Sequence, residues 1–164
     1  MSKMIVVMGV SGCGKTSVGR ELAWSLKLPF YDADDFHPLS NIEKMKSGVP
    51  LTDHDRTPWL QGLASEMQDW NDDGGAVLAC SALKEEYRQL LSTNTEIQWV
   101  YLAASFDVIY ERMTQRDHFM KPEMLRSQFE TLEVPNYGIQ VTSEPSLKDT
   151  VDKILSLLEQ NEAK

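Results

Sequence analysis

Cysteine is scarce, with only Cys13 and Cys80 in 164 residues. Two thiols make at most one bridge, and neither sits in a Cys-x-x-Cys or other metal-ligand spacing. The pattern offers no disulfide scaffold, and a reducing cytoplasm is the expected location. Long apolar runs are missing too. The longest near the start, Met4 to Met8, falls far short of the ~20 residues a membrane-spanning helix needs, and no small-residue cleavage site follows it. No membrane partner is expected. Basic residues are outnumbered, 16 Lys and Arg against 25 Asp and Glu, for a formal net charge of −9. Such a field repels polyphosphate at long range, and no local stripe of Lys and Arg overrides it, so no nucleic-acid partner is expected. With 9 Gly, 7 Pro and no repeat, collagenous, low-complexity and solenoid architectures also drop out.

What remains is a chain 41% hydrophobic and 25% charged. A domain of this size buries roughly 70% of the surface its unfolded chain exposes, which is enough for a core without staples. Residues 1–164 are expected to form one domain. Two periods alternate along it, the pattern of strands wound with helices into a parallel sheet. Met4 to Met8 is apolar throughout, hence a strand buried on both faces. Val18, Leu22 and Leu26 predict a helix after it, and Pro29 to Tyr31 a short strand ending at Asp32. Leu60, Leu63, Ala64 and Met67 follow helical spacing, predicting a helix over 57–72 with Pro58 near its first turn. Ala76 to Cys80 and Ile97 to Leu102 read as core strands separated by a helix over 84–91. A helix over 106–114, a charged segment over 115–121, a helix opened by Pro122, a strand within 138–142 and a last amphipathic helix from Leu147 complete the pattern.

Gly9-Val10-Ser11-Gly12-Cys13-Gly14-Lys15-Thr16 matches G-x-x-x-x-G-K-[ST] between a buried strand and a helix, which is where a phosphate cradle belongs. Glycines let successive N–H groups converge on phosphate oxygens, and the helix start adds its dipole. Lys15 reaches the β and γ phosphates of ATP in such a cradle, and the Thr16 hydroxyl binds Mg²⁺. Motor ATPases and many GTPases end a further strand with a Mg²⁺-binding carboxylate. Here the third strand ends in Cys80-Ser81 and the fourth in Ala103-Ala104, while carboxylates follow the second strand as Asp32-Ala33-Asp34-Asp35. That arrangement points to a small-metabolite kinase with its acceptor held at this edge.

The chain resembles the gluconate kinases, small P-loop enzymes that phosphorylate the 6-hydroxyl of D-gluconate. The resemblance runs from Gly9 to about Pro135 through five blocks in order: GVSGCGKT at 9–16, DADDFHP at 32–38, NIEKMKSGVPLTDHDRTPWL at 41–60, CSALKEEYR at 80–88 and HFMKPEMLRSQFETLE at 118–133. It departs at Asp117, where many relatives carry glycine, and over 136–146. The resemblance implies an α/β P-loop NTPase of adenylate-kinase-like three-layer form, with a five-stranded parallel sheet of order 2-3-1-4-5. It also implies a helical lid over about 113–133, Mg-ATP as donor and a homodimer.

Gluconate joins a carboxylate to five hydroxyls, so its site calls for a guanidinium fork at one end and hydrogen-bonding groups along the rest. Arg56 is the first candidate for the carboxylate, with Arg88 and Lys84 beside it and His37 for a sugar hydroxyl. Asp34 is assigned to the reacting hydroxyl, and Asp32 to Mg²⁺ through water. Arg112 and Arg116, four apart before the lid, are candidates to stack on adenine or neutralise γ-phosphate charge, with Arg116 counted as catalytic alongside Lys15 and Asp34. A shikimate kinase or another metabolite kinase on the same fold is the nearest alternative. A nucleotide switch without acceptor chemistry is the more distant one.

Overall fold

A computed structural model describes residues 3–115, 122–142 and 146–162. The strands are β1 (Met4–Met8), β2 (Phe30–Asp32), β3 (Ala76–Ala79), β4 (Gln98–Ala103) and β5 (Ile139–Thr142). The helices are α1 (Lys15–Leu26), α2 (Leu39–Lys46), α3 (Asp53–Asp72), α4 (Glu85–Leu91), α5 (Phe106–Thr114), α6 (Pro122–Thr131) and α7 (Leu147–Glu162), with a 3₁₀ turn over Ala33–Phe36. The strands form one five-stranded sheet of order β2-β3-β1-β4-β5. Every pairing is parallel; Val6, for example, stands opposite Leu78 on one side and Trp99 on the other.

The continuous apolar run of β1 follows from its central place. Because side chains alternate across a sheet, Ile5 and Val7 pack with Val18 and Leu22 of α1, Ile109 of α5, Leu125 of α6 and Ile154 and Leu158 of α7. Met4, Val6 and Met8 face the opposite layer, with Leu60, Leu63 and Met67 of α3 and Tyr87 and Leu91 of α4. The result is helix, sheet and helix in three layers. At the sheet edge β5 keeps the alternation of a half-buried strand, Ile139 and Val141 in, Gln140 and Thr142 out.

Two elements differ from the sequence-based expectation. Helix α3 starts at Asp53, four residues before 57, because Thr52 caps it. The Thr52 hydroxyl accepts from the Asp55 N–H at 3.1 Å, while the Thr52 N–H donates to the Asp55 carboxylate at 2.9 Å. Pro58 therefore lies inside the helix, where it removes the donor that would face the His54 carbonyl. The capping box and the buried Trp59, Leu60 and Leu63 hold the helix across that gap. Helix α2 went without a sequence signal because Leu39 and Met45 are exposed and its one buried residue is polar. Asn41 Nδ2 donates to the Asp55 carbonyl at 3.0 Å and so ties α2 to the start of α3. Residues 116–121, which include Arg116, Asp117 and the centre of the expected lid, lie outside the described residues.

Thr52→Ala removes one half of the capping box and should cost about 1 kcal/mol, lowering the thermal midpoint by roughly 2–4 °C. Urea unfolding with an unchanged m-value checks it. An unchanged midpoint would show that Asn41 and Asp55 hold the helix start without the cap.

Candidate active site

The loop from β1 to α1 is shaped by glycines at positive φ. Gly12 has φ +82°, and a Cβ there would come within 2.8 Å of Ile109 and 3.1 Å of Met113 on α5. Gly14, at φ 101°, is the N-cap of α1 and supplies no side-chain cap, so the first N–H groups of the helix remain for an anion. Lys15 Nζ donates to the carbonyls of Gly9 and Val10, both at 3.0 Å, which keeps its ammonium over the loop. Cys13 is buried in the loop, and burial raises its thiol pKa. Burial pushes the Cys80 thiol further, up to about 12, so both cysteines act as small apolar residues.

The carboxylates after β2 face this loop. Asp32 accepts the Asp34 N–H at 3.0 Å through one oxygen and the Thr16 hydroxyl at 3.4 Å through the other. Thr16 and Asp32, the expected metal pair, are thus brought together. Among the described residues no group of three or more His, Cys, Asp or Glu is placed to hold a metal ion. Asp34 keeps one side open to solvent, yet loss of water around the rest of it, then repulsion from Asp32, raise its pKa above the ordinary 3.8, with Lys15 opposing. Trp59, buried in α3, donates from its indole to the Ala33 carbonyl at 2.8 Å and so anchors the turn that carries both aspartates.

Beside the loop lies a cavity lined by Arg56, Trp59, Ser81, Leu83, Tyr87, Ser127, Gln128 and Thr131, among others. Two of these residues are bonded to the loop itself. The Ser81 carbonyl accepts the Gly9 N–H at 3.3 Å. Gln128 accepts the Ser11 N–H at 2.7 Å and donates to the Ser11 hydroxyl at 3.0 Å.

Arg56 lines the cavity; its Nη1 donates to the Leu51 carbonyl at 2.9 Å and to the Tyr87 hydroxyl at 3.4 Å. Asp53 gathers the neighbouring cations, with Lys84 at 3.1 Å and Arg56 at 3.8 Å, and it also accepts the Tyr87 hydroxyl. The bonds from Tyr87 and Lys84 hold the Asp53 carboxyl below its usual range, and Lys84 is raised in return. The adjacent Asp55 is drawn down to about 2, first by Lys44. His37 stacks on Trp59 with ring centroids 4.1 Å apart and lies 3.3 Å from Asn41 Nδ2. Desolvation, then the charge of Arg56, lowers its pKa, so the imidazole is neutral at pH 7. Arg112 lies in the last turn of α5, exposed, and its charge reaches Cys13 in the loop. Arg116 lies outside the described residues.

Arg88 departs from its expected role beside the acceptor carboxylate. Only 1% exposed, it donates to the Glu133 carbonyl at 2.5 Å, lies 3.7 Å from Glu85 and packs over the Tyr137 ring. It is one turn beyond Lys84 on a helix that turns this face to the core, so it ties α4 to the segment after α6. Asp53, Tyr87 and Gln128 went unassigned in the sequence because an acidic residue in a first helical turn, a tyrosine on an apolar face and a glutamine in a polar helix all have commoner uses. Only their shared blocks pointed to them.

A sequence model of the shikimate kinase family matches residues 11–156. The chain is 42% identical over 178 residues to the probable gluconokinase of Mus musculus, covering 94% of this chain and 97% of that one. It is 50% identical over 135 residues to the thermoresistant gluconokinase of Escherichia coli K12, covering 79% and 76%. The crystal structure of a gluconokinase from Sinorhizobium meliloti 1021 superposes with a TM-score of 0.87 at 40% identity, over 97% of this chain and 93% of that one. The chain belongs to the gluconokinase branch of this kinase family. As a gluconokinase-family member it is a phosphotransferase whose nucleotide-binding P-loop is the β1–α1 turn.

Asp34 binds its proton more tightly in the fold than in the unfolded chain. Its ionisation therefore lowers stability as pH rises from 3.8 through the raised folded value, and the loss persists above it. Asp34→Asn should leave the thermal midpoint at pH 7 equal or higher. The same change should cut kcat by roughly 10²–10⁴ and abolish the acid limb of the kcat/KM profile. A retained limb would assign it to another group.

Proposed function

We propose that the protein transfers the γ-phosphoryl group of ATP to the 6-hydroxyl of D-gluconate, giving 6-phospho-D-gluconate and ADP. The observation that carries this reading is the shared wall between loop and cavity, where Ser81 is bonded to Gly9 and Gln128 to Ser11 while Arg56 stands in the same lining. A polyhydroxy acid fits such a lining, its carboxylate on the Arg56 fork with Lys84 nearby, and its hydroxyls toward Ser81, Ser127 and Thr131. The opposite end of the acid then approaches the loop, with Asp34 to orient the hydroxyl and accept its proton.

Phosphoryl transfer passes through a loose transition state, so positioning and charge neutralisation outweigh proton abstraction. Lys15 can exchange the two neutral carbonyls that hold it for phosphate oxygens. The Thr16 hydroxyl and Asp32 carboxylate are hard oxygen donors that converge on one point, which suits Mg²⁺, an ion that keeps most of its shell as water and phosphate. When bound, Mg²⁺ offsets the charge that develops on the phosphate oxygens. Arg112 with Arg116 would add positive charge from the lid over about 113–133, whose closure keeps water from the reaction. The reading also includes one domain, a cytoplasmic location, supported by two buried free thiols, and a homodimer, supported by the family resemblance.

A coupled ADP-release assay with Mg-ATP and a panel of sugar acids, shikimate and nucleoside monophosphates tests this. Strong turnover is expected with gluconate alone. Turnover with shikimate instead, or ADP release indifferent to every acid, would overturn it. Arg56→Leu should raise the gluconate KM roughly 10- to 100-fold, the worth of hydrogen bonds to a charged group, and leave the ATP KM within a factor of about two.

A further inference from the structure

Gln128 is bonded to the nucleotide loop and lines the acceptor cavity at once. Its side-chain oxygen takes the Ser11 N–H at 2.7 Å and its side-chain nitrogen gives to the Ser11 hydroxyl at 3.0 Å, so both ends of one amide are used on one residue. That geometry fixes the orientation of the glutamine, since reversing the amide would set donor against donor at the backbone. The chain just beyond its helix is tied down as well. Just past the end of α6, the Glu133 N–H donates to the Leu83 carbonyl at 2.8 Å, its carboxylate accepts the Glu85 N–H at 3.0 Å, and its carbonyl takes the buried Arg88 at 2.5 Å. The loop is gripped on its other side by α5, where Ile109 and Met113 close against Gly12.

We propose that Gln128 is a positioning residue for the transfer: it registers the nucleotide loop against the acceptor cavity, so that the γ-phosphorus meets the acceptor hydroxyl rather than water. The inference rests on the function proposed above. A loop held through Gly9 and α5 but released at Ser11 keeps its phosphate-binding shape but loses its alignment with the acceptor. Donor binding then survives while coupling fails. The competing step is hydrolysis, in which a water oxygen attacks the γ-phosphorus, ADP leaves and the water's proton passes to solvent.

The test compares Gln128→Ala and Gln128→Met, the latter preserving side-chain length without hydrogen bonds, in the full chain with Mg-ATP and gluconate. In both, kcat should fall about tenfold or more with the ATP KM within twofold of wild type. The ratio of ADP to phosphogluconate should rise above one, with the excess recovered as inorganic phosphate. Ser11→Ala keeps the backbone bond and should lose less, and Ser11→Ala combined with Gln128→Ala should be no worse than Gln128→Ala alone. A merely structural role would lower kcat with the thermal midpoint and keep the ratio at one. That result, unchanged kinetics in both glutamine variants, or losses that multiply in the double variant would each overturn the role of Gln128 and leave gluconate phosphorylation standing. Wild-type enzyme that turns over no gluconate would instead sink the underlying reading, and this inference with it.

Discussion

Backbone N–H groups turned inward around an anion repel one another, and a loop built of them holds its shape only if the rest of the fold holds it. Here β1 does so from below. Its five residues are at most 3% exposed, locked between β3 and β4 and packed on both faces, so the strand delivers Gly9 to one place. From there α5 presses on Gly12, α6 binds Ser11, and the Gly9 N–H is tied to Ser81 beyond β3. Each helix layer contributes to this support, which is why the apolar code of β1 and the polar chemistry of the loop are one constraint.

The charge pattern follows from it. A chain of net charge −9 has to concentrate cations where an anionic donor and an anionic acceptor meet. Lys15 stands over the loop, while Arg56 and Lys84 are gathered on Asp53 beside the cavity. Asp53 keeps two like charges close, and the Tyr87 hydroxyl braces the same carboxylate. Asp34 sits at the other extreme, a carboxylate made more basic by its setting and by Asp32. One centre thus holds a carboxylate favouring the charged form and another drawn toward the neutral form, which is how neighbouring acids come to differ in role.

Much of this was legible in the residues. Buried strands announce themselves by unbroken apolar runs, and the sheet order came with the family resemblance that the five blocks carried. The loop motif was readable because its glycines serve geometry and its Lys and Thr serve chemistry at fixed spacing. What stayed hidden depends on contacts between distant segments. Arg88 looks like any helical cation until the Glu133 carbonyl is found against it. The start of α3 was obscured by Pro58, whose usual place is the first turn, while the reciprocal bonds of Thr52 and Asp55 decided the boundary. Helix α2 has no apolar stripe because a buried asparagine, not a hydrophobic face, secures it.

Trp59 joins two parts that the chain order keeps apart, with its indole on the Ala33 carbonyl three residues after Arg56 on the same helix. The walls of the cavity hang on the starts of α3 and α4 and on α6, and two of their residues, Ser81 and Gln128, also hold the loop that β1 and α1 deliver. Selection can therefore exchange the remaining wall residues while those two bonds keep the phosphate machinery as it is. A scaffold divided in this way is suited to diversify by what it phosphorylates, under a donor chemistry that never has to be reinvented.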